Sequence, residues 1–504
     1  MGVKKDDWLK RISSTDTVEN SETLMSYDQC LDKVYAAISS ANVENAELID
    51  QMSPTQLYEF TRNLIQQTVA EKRFSVAGFV KDGKAELNRL TTTLQSDITD
   101  YGPLTEAMHD ESITEIQVND YKTIYAEQHG ETRLLVNSIT NQPVVFKDDK
   151  ELLKIANKLL RMQNVTLSTT KAIQGAMTVE GYRVAAVHPS AASPDKGEFS
   201  LKDKSAAIVI RKFSKNKLNL NDLIKFGSMT TEIAEFLRRI PQASLTTVVA
   251  GATGSGKTVL LQAFSDERPK EKRTFIVEDQ SELNARMRNA DGIDQSNTVQ
   301  FEARPAPAGA KTDLSYPTFE NLIIQALRMS PRLFILGEIR TNSVINQAVT
   351  AANTGHPFYT TIHAEDVYDT VTRIAMAVAA ETPSIPYNVI LDIVCKNVTF
   401  IISQQKLDDG SRKCLQLAEI LGTEMVDGQM KPKVNMIFEF QGDGQGIHED
   451  GKIHGKYLQV GRISDTLKRK LYLKKLTKED LDILTSGPAP GEDPIEGHFD
   501  LINL

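Results

Sequence analysis

Cysteine is scarce. Cys30, Cys395 and Cys414 are too far apart for a CxxC pair and, being odd in number, supply no disulfide framework; buried thiols in a reducing compartment are expected. Long apolar runs are missing too. Nothing approaches the roughly 20 residues needed to cross a bilayer, so membrane association is expected only through partners. The opening Met1-Gly2-Val3-Lys4-Lys5-Asp6 has basic residues with no apolar stretch behind them, and Asp6 stands where a myristoylation signal needs Ser or Thr; no export signal or lipid anchor is expected. Positive charge is in deficit. A net charge of −9 speaks against a protein that coats nucleic acid, because such binding is largely phosphate neutralisation by Lys and Arg, and directly bound nucleic acid is not expected.

What is present is an ordinary globular composition and one unusually complete motif. Gly251-Ala252-Thr253-Gly254-Ser255-Gly256-Lys257-Thr258 follows the apolar, β-rich run 245–250 and precedes a helical pattern, Val259 to Phe264. Strand, glycine loop and helix make a P-loop (Walker A) in its proper setting. Glycines let the backbone wrap a phosphate with its N–H groups, and the helix N-terminus adds positive potential. Lys257 then reaches the β/γ-phosphates and the Thr258 hydroxyl ligates Mg²⁺. The pattern predicts binding of ATP with Mg²⁺.

The chain divides into five stretches, within the two to four domains expected for 504 residues. Residues 1–100 read as a polar, helical N-terminal extension, with a capping box at Ser53-Pro54-Thr55-Gln56 and an apolar stripe of Leu57, Phe60, Leu64, Ile65 and Val69. Residues 101–213 read as an α+β domain: strands at 114–118, 123–126, 133–136, 182–187 and 206–210, a helix near 152–160, and a polar exposed loop at 189–205. Polar character marks 214–230 as a linker. From 231 to 476 strands alternate with helices as in a parallel α/β sheet, with core strands at 245–250, 274–277, 333–336, 358–362 and 398–402; beyond them come a strand at 435–440, a Gly/Asp-rich loop and a basic helix around 467–476. A Pro/Gly/acidic tail, 477–504, reads as flexible.

Polar groups close the core strands, where α/β sheets bind ligands. Glu278-Asp279 ends the second strand, where a carboxylate polarises an attacking water, and Glu282 lies four residues on. Glu338 ends the third strand at the Walker B position, where an acid holds Mg²⁺ through water. His363 follows the fourth.

In order, GATGSGKT, FIVEDQSEL (275–283), LRMSPRLFILGEIR (327–340) and TGHPFYTTIHAED (354–366) resemble the Walker A, Asp box, Walker B and His box of the secretion ATPase superfamily. These are the motors of type II and type IV secretion and of type IV pilus assembly. DESITEIQVNDYKTIYAE (110–127), FEARPAP (301–307), IPYNVI (385–390) and DGKIHGKYLQVG (450–461) are similar to the Tad/Flp (tight adherence) pilus branch. The four-cysteine zinc module of many type II secretion ATPases is absent. The resemblance implies a RecA-like P-loop core with a PAS-like α+β N-terminal domain, and a homohexamer. It further implies cytoplasmic placement at the inner face of the membrane, beside secretion or pilus platform proteins. It assigns catalytic roles to Glu278, Glu338 and His363, and phosphate contacts to Arg183 and Arg211 of the N-terminal domain. The expected chemistry is Mg-ATP hydrolysis without a covalent intermediate, driving pilus assembly or secretion. Two rival readings are a nucleotide-gated scaffold and a DNA-translocating conjugation motor; the acidic balance weighs against the second.

Overall fold

A computed structural model describes residues 101–499 except 129, 139, 162–164, 179, 192–204, 213–216, 284–293, 305–314 and 490, together with 24–25, 27–44, 54–71, 75–76, 90–91 and 94. Ser53 of the expected capping box, most of the expected 189–205 loop and Pro305-Ala306-Pro307 lie outside those residues. The chain forms two units, Met1–Ser214 and Lys215–Leu504.

In unit 1, two short strands, β1 (Leu24–Met25) and β2 (Ser75–Val76), pair in parallel. Helices span Tyr27–Glu44 and Pro54–Glu71, the latter starting with proline in its first turn, where a missing N–H costs nothing. Of the predicted stripe Ile65 is buried, Phe60 and Leu64 are half-buried, and Leu57 and Val69 fall among side chains not described. A six-stranded antiparallel sheet follows. Its strands are β3 (Ile113–Val118), β4 (Ile124–Gln128), β5 (Glu131–Leu134), β6 (Ile173–Met177), β7 (Arg183–Val187) and β8 (Ala207–Arg211), in the order β5-β4-β3-β8-β7-β6. Helix Asp149–Leu160, capped by Asp148, buries Leu152, Ile155, Ala156, Leu159 and Leu160 at its 3.6-residue spacing in one core with the alternating Ile116, Val118, Val184, Ala186, Ile208 and Ile210.

Unit 2 is built on a ten-stranded mixed sheet. Strands β9 (Thr247–Ala250), β10 (Thr274–Glu278), β11 (Thr298–Glu302), β12 (Leu333–Glu338), β13 (Phe358–Ile362) and β14 (Phe400–Lys406) run parallel in the order β11-β10-β12-β13-β9-β14. β9, β10 and β13 are buried along their whole length because helices cover both faces. Val249, Ile276 and Tyr359 share one core with helices Thr231–Ala243 and Lys257–Ser265; Val248, Ala250, Phe275 and Val277 share the other with helices Asn342–Asn353 and Val367–Glu381. The parallel sheet expected from sequence continues antiparallel through β15 (Arg412–Val426), β16 (Gln429–Ile447), β17 (Ile453–Gln459) and β18 (Ile495–Glu496). Asp427 and Gly428, at φ 52 and 76, turn β15 into β16. Asp-Gly is the pair that a hairpin turn with two left-handed residues selects.

Two stretches differ from expectation. Residues 220–225, read as linker, form a helix whose polar start is a capping box between Asn219 and Asp222, and Leu220, Leu223 and Ile224 enter the core. Capping residues carry loop-like composition, which hid the helix. Residues 478–485, read as flexible tail, form a second capped helix, and β18 pairs with β17. His498 then ties back to the start of helix Thr231–Ala243, its Nδ1 2.8 Å from Glu232 Oε1.

Candidate nucleotide site

β9 delivers the chain to the edge of the sheet, and the P-loop turns it into helix Lys257–Ser265. Gly251, Gly254 and Gly256 take φ values of 155, 75 and 90, which side chains rarely adopt. A Cβ on Gly251 would lie 1.9 Å from Gln404 O and 2.6 Å from Ser255 Oγ. Glycine is therefore enforced there by space as well as by φ. Ser255 Oγ is buried with no hydrogen-bond partner. An orphaned hydroxyl inside a glycine cradle fits a phosphate oxygen as its missing partner. Thr258, at the helix start, and Glu338 are the side chains that would hold Mg²⁺.

Lys257 is 7% exposed and donates to Gly251 O at 2.9 Å and Ala252 O at 2.8 Å. Its Nζ is 3.5 Å from His363 Nδ1. The other ring nitrogen of His363 lies 2.5 Å from Glu338 Oε1, while Arg340 donates to Glu338 Oε2 from Nε at 2.9 Å and from Nη2 at 2.5 Å. The histidine thus bridges the P-loop lysine and the acid that ends β12. Burial, and then the Lys257 charge, push the His363 pKa down against the opposing pull of Glu338. The lowered pKa favours the neutral imidazole at pH 7, so the ring sits in close contact with both groups without adding a third cation.

Glu278 ends β10 only 2% exposed. Its Oε1 accepts from the N–H groups of Glu282 (3.0 Å) and Leu283 (2.8 Å), and its Oε2 accepts from Gln300 Nε2 (2.9 Å). Burial pushes its pKa up to about 7, the hydrogen bonds opposing only in part. Gly337, just before Glu338, makes room for this side chain: a Cβ there would meet Glu278 Cγ at 3.0 Å. The carboxyl therefore both anchors the 279–283 turn and titrates where a general base works best.

A cavity of about 410 Å³ opens here, lined by Gly251, Ala252, His363, Ala364, Glu365, Arg373 and Gln405. The structure therefore gathers Lys257, His363 and Glu338 of the predicted set. In unit 1, Arg183 and Arg211 are cross-strand partners on β7 and β8, so they share one face; Arg211 also pairs with Glu115 at 3.2 Å.

Sequence reasoning missed Arg412. From the start of β15 its Nε donates to Gly254 O at 2.9 Å, and Ser228 Oγ holds its own carbonyl at 2.6 Å. A turn through Asp409 and Gly410 brings the chain back from β14, and where Arg412 lands depends on strand pairing. Arg412→Ala should weaken nucleotide binding about tenfold by freeing that loop carbonyl, with kcat changed less than KM; an unchanged KM would mean that the contact is incidental.

The sequence profile of the Type II/IV secretion system protein family matches residues 97–453. The chain belongs to that family. Among similar proteins, the uncharacterized protein MJ0781 of Methanocaldococcus jannaschii is 27% identical over 333 residues, covering 65% of this chain but only 42% of the archaeal protein. The conjugal transfer protein TrbB of Rhizobium radiobacter is 24% identical over 328 residues, 64% of this chain and 88% of that one. VirB11 of the Brucella suis type IV secretion system is 26% identical over 313 residues, 57% of this chain and 80% of that one. Among solved structures, the VirB11 ATPase of Brucella suis, complexed with sulphate, is 24% identical with a TM-score of 0.30, covering 63% of this chain and 95% of that one. The pilus retraction motor PilT with bound ADP is 15% identical with a TM-score of 0.43, covering 77% and 98%. No described helix is long and apolar enough to cross a membrane.

Proposed function

We propose that this chain is an ATPase that turns over Mg-ATP to drive secretion or the assembly of a Tad/Flp-like pilus. The observation that carries the reading is the bridge Lys257–His363–Glu338, which joins residues 106 and 25 positions apart in sequence at one sheet edge. Unit 2 is read as a RecA-like core and the unit 1 sheet with its helix as a PAS-like domain. Homohexamer assembly, a cytoplasmic position and partnership with membrane platform proteins are inferred with the family. The net charge of −9 disfavours DNA as a directly bound cargo.

In this mechanism catalysis is positioning and charge neutralisation. The P-loop backbone and Lys257 would hold the phosphates, and Thr258 and Glu338 would hold Mg²⁺, which would supply charge neutralisation when bound. His363 fixes Lys257 against Glu338. Glu278 accepts a proton from water. Arg183 and Arg211 supply cations that oppose charge growing on the transferred phosphoryl group. Alanine at either arginine should therefore lower kcat by at least about tenfold while changing KM less; a loss confined to KM would reassign them to ground-state binding.

The test of the reading is phosphate release by the full-length chain in excess Mg-ATP. Repeated turnover is expected. Release that stops near one equivalent per chain would make this a nucleotide-gated scaffold instead.

A further inference from the structure

Helix Asp465–Leu471 turns Leu467 and Leu471 into the core of unit 2, 4% and 0% exposed, so Arg469 and Lys470 face outward. The chain then turns, with Leu473 N–H donating to Lys470 O and Lys474 N–H to Leu471 O. That turn lifts an aromatic and an aliphatic side chain clear of the surface. Tyr472 is 58% exposed and Leu473 89%, the most exposed large apolar side chain among the described residues. The surrounding sequence, Leu467 to Leu476, holds Lys468, Arg469, Lys470, Lys474 and Lys475 and no acid, in a chain of net charge −9. Among the described residues, none of these five cations makes an ion pair. The core does not explain the pattern, since Leu467 and Leu471 already serve it.

We propose that residues 469–475 dock directly on an anionic lipid surface, with Leu473 and Tyr472 entering the headgroup layer and Arg469, Lys470, Lys474 and Lys475 meeting lipid phosphates. A convex turn tipped by leucine and ringed by cations matches a fluid interface, which closes around a protruding side chain without a preformed pocket. Tyrosine belongs at headgroup depth, its ring apolar and its hydroxyl wet. Clustered Lys and Arg supply attraction that anionic headgroups satisfy and neutral ones do not. Membrane contact through partners, expected from sequence, is thereby supplemented by contact through the chain itself.

The test is co-flotation of the full-length protein with vesicles of phosphatidylcholine alone or with about one third phosphatidylglycerol. Flotation is expected only with the anionic vesicles, and to weaken with added salt. Lys474→Ala/Lys475→Ala should lower partitioning about thirtyfold, at roughly 1 kcal/mol per lysine. Leu473→Asn should lower it about tenfold. Both variants should release phosphate from ATP at the wild-type rate without vesicles, which shows that they fold; loss of ATPase activity in the wild type would sink the motor reading and leave this one standing. Equal binding to neutral vesicles, or undiminished binding by the variants, would overturn the proposal. So would variants that lose binding to duplex DNA or self-association while still floating with anionic lipid, since the patch would then serve nucleic acid or a second copy.

Discussion

Lys257→Ala abolishes ATP turnover: a fall of about a thousandfold or more is expected, with weaker nucleotide binding. The lysine is the cation of the glycine cradle, held 2.9 Å from Gly251 O and 2.8 Å from Ala252 O. Without it, no charged side chain within the loop offsets charge at the β/γ-phosphates, and His363 loses one of the two groups it bridges. Steady-state phosphate release and calorimetric titration with nucleotide measure the two effects. Turnover at the wild-type rate in this variant would remove the P-loop assignment.

Glu278→Gln separates binding from chemistry. ATP should bind near-normally while turnover falls by roughly two to four orders of magnitude, the range for loss of a general base. The sign of the pH dependence follows from the carboxyl pKa of about 7. A base must be deprotonated, so wild-type turnover rises as pH rises through about 7, and the residual activity of the variant lacks that limb. His363, shifted downward and neutral there, adds no rising limb of its own in the same window. If instead Glu282→Gln abolished turnover while Glu278→Gln retained it, Glu278 would be left with anchoring the 279–283 turn and the base would be Glu282.

The parts of this molecule that local chemistry dictates were legible in its sequence. Strands β9, β10, β12 and β13 announced themselves as apolar, β-branched runs because helices cover both sheet faces, and the P-loop glycines because only glycine meets their φ values. β6 was missed: Ile173-Gln174-Gly175-Ala176-Met177 has little β-propensity, and its pairing with β7 makes it a strand. The long β15–β16 hairpin was read only in part, since its exposed half alternates weakly. Within the site, Glu278, Glu338 and His363 were readable as polar ends of apolar strands. Arg412 was not, because its contact with Gly254 depends on β14–β15 pairing and spans 158 positions. The depth of Glu278, with its shifted pKa, likewise arises from Gly337 and Gln300 on neighbouring strands.

The central claim is that His363 joins Lys257 and Glu338 into one catalytic unit, and a double-mutant cycle addresses it most directly. kcat/KM is measured for Glu338→Gln, His363→Ala and the double variant in steady-state ATP hydrolysis. Residues that act as a unit lose their effect together. The account predicts that the double variant is little worse than the poorer single variant; losses that multiply, each substitution costing the same in the other's presence, would contradict it.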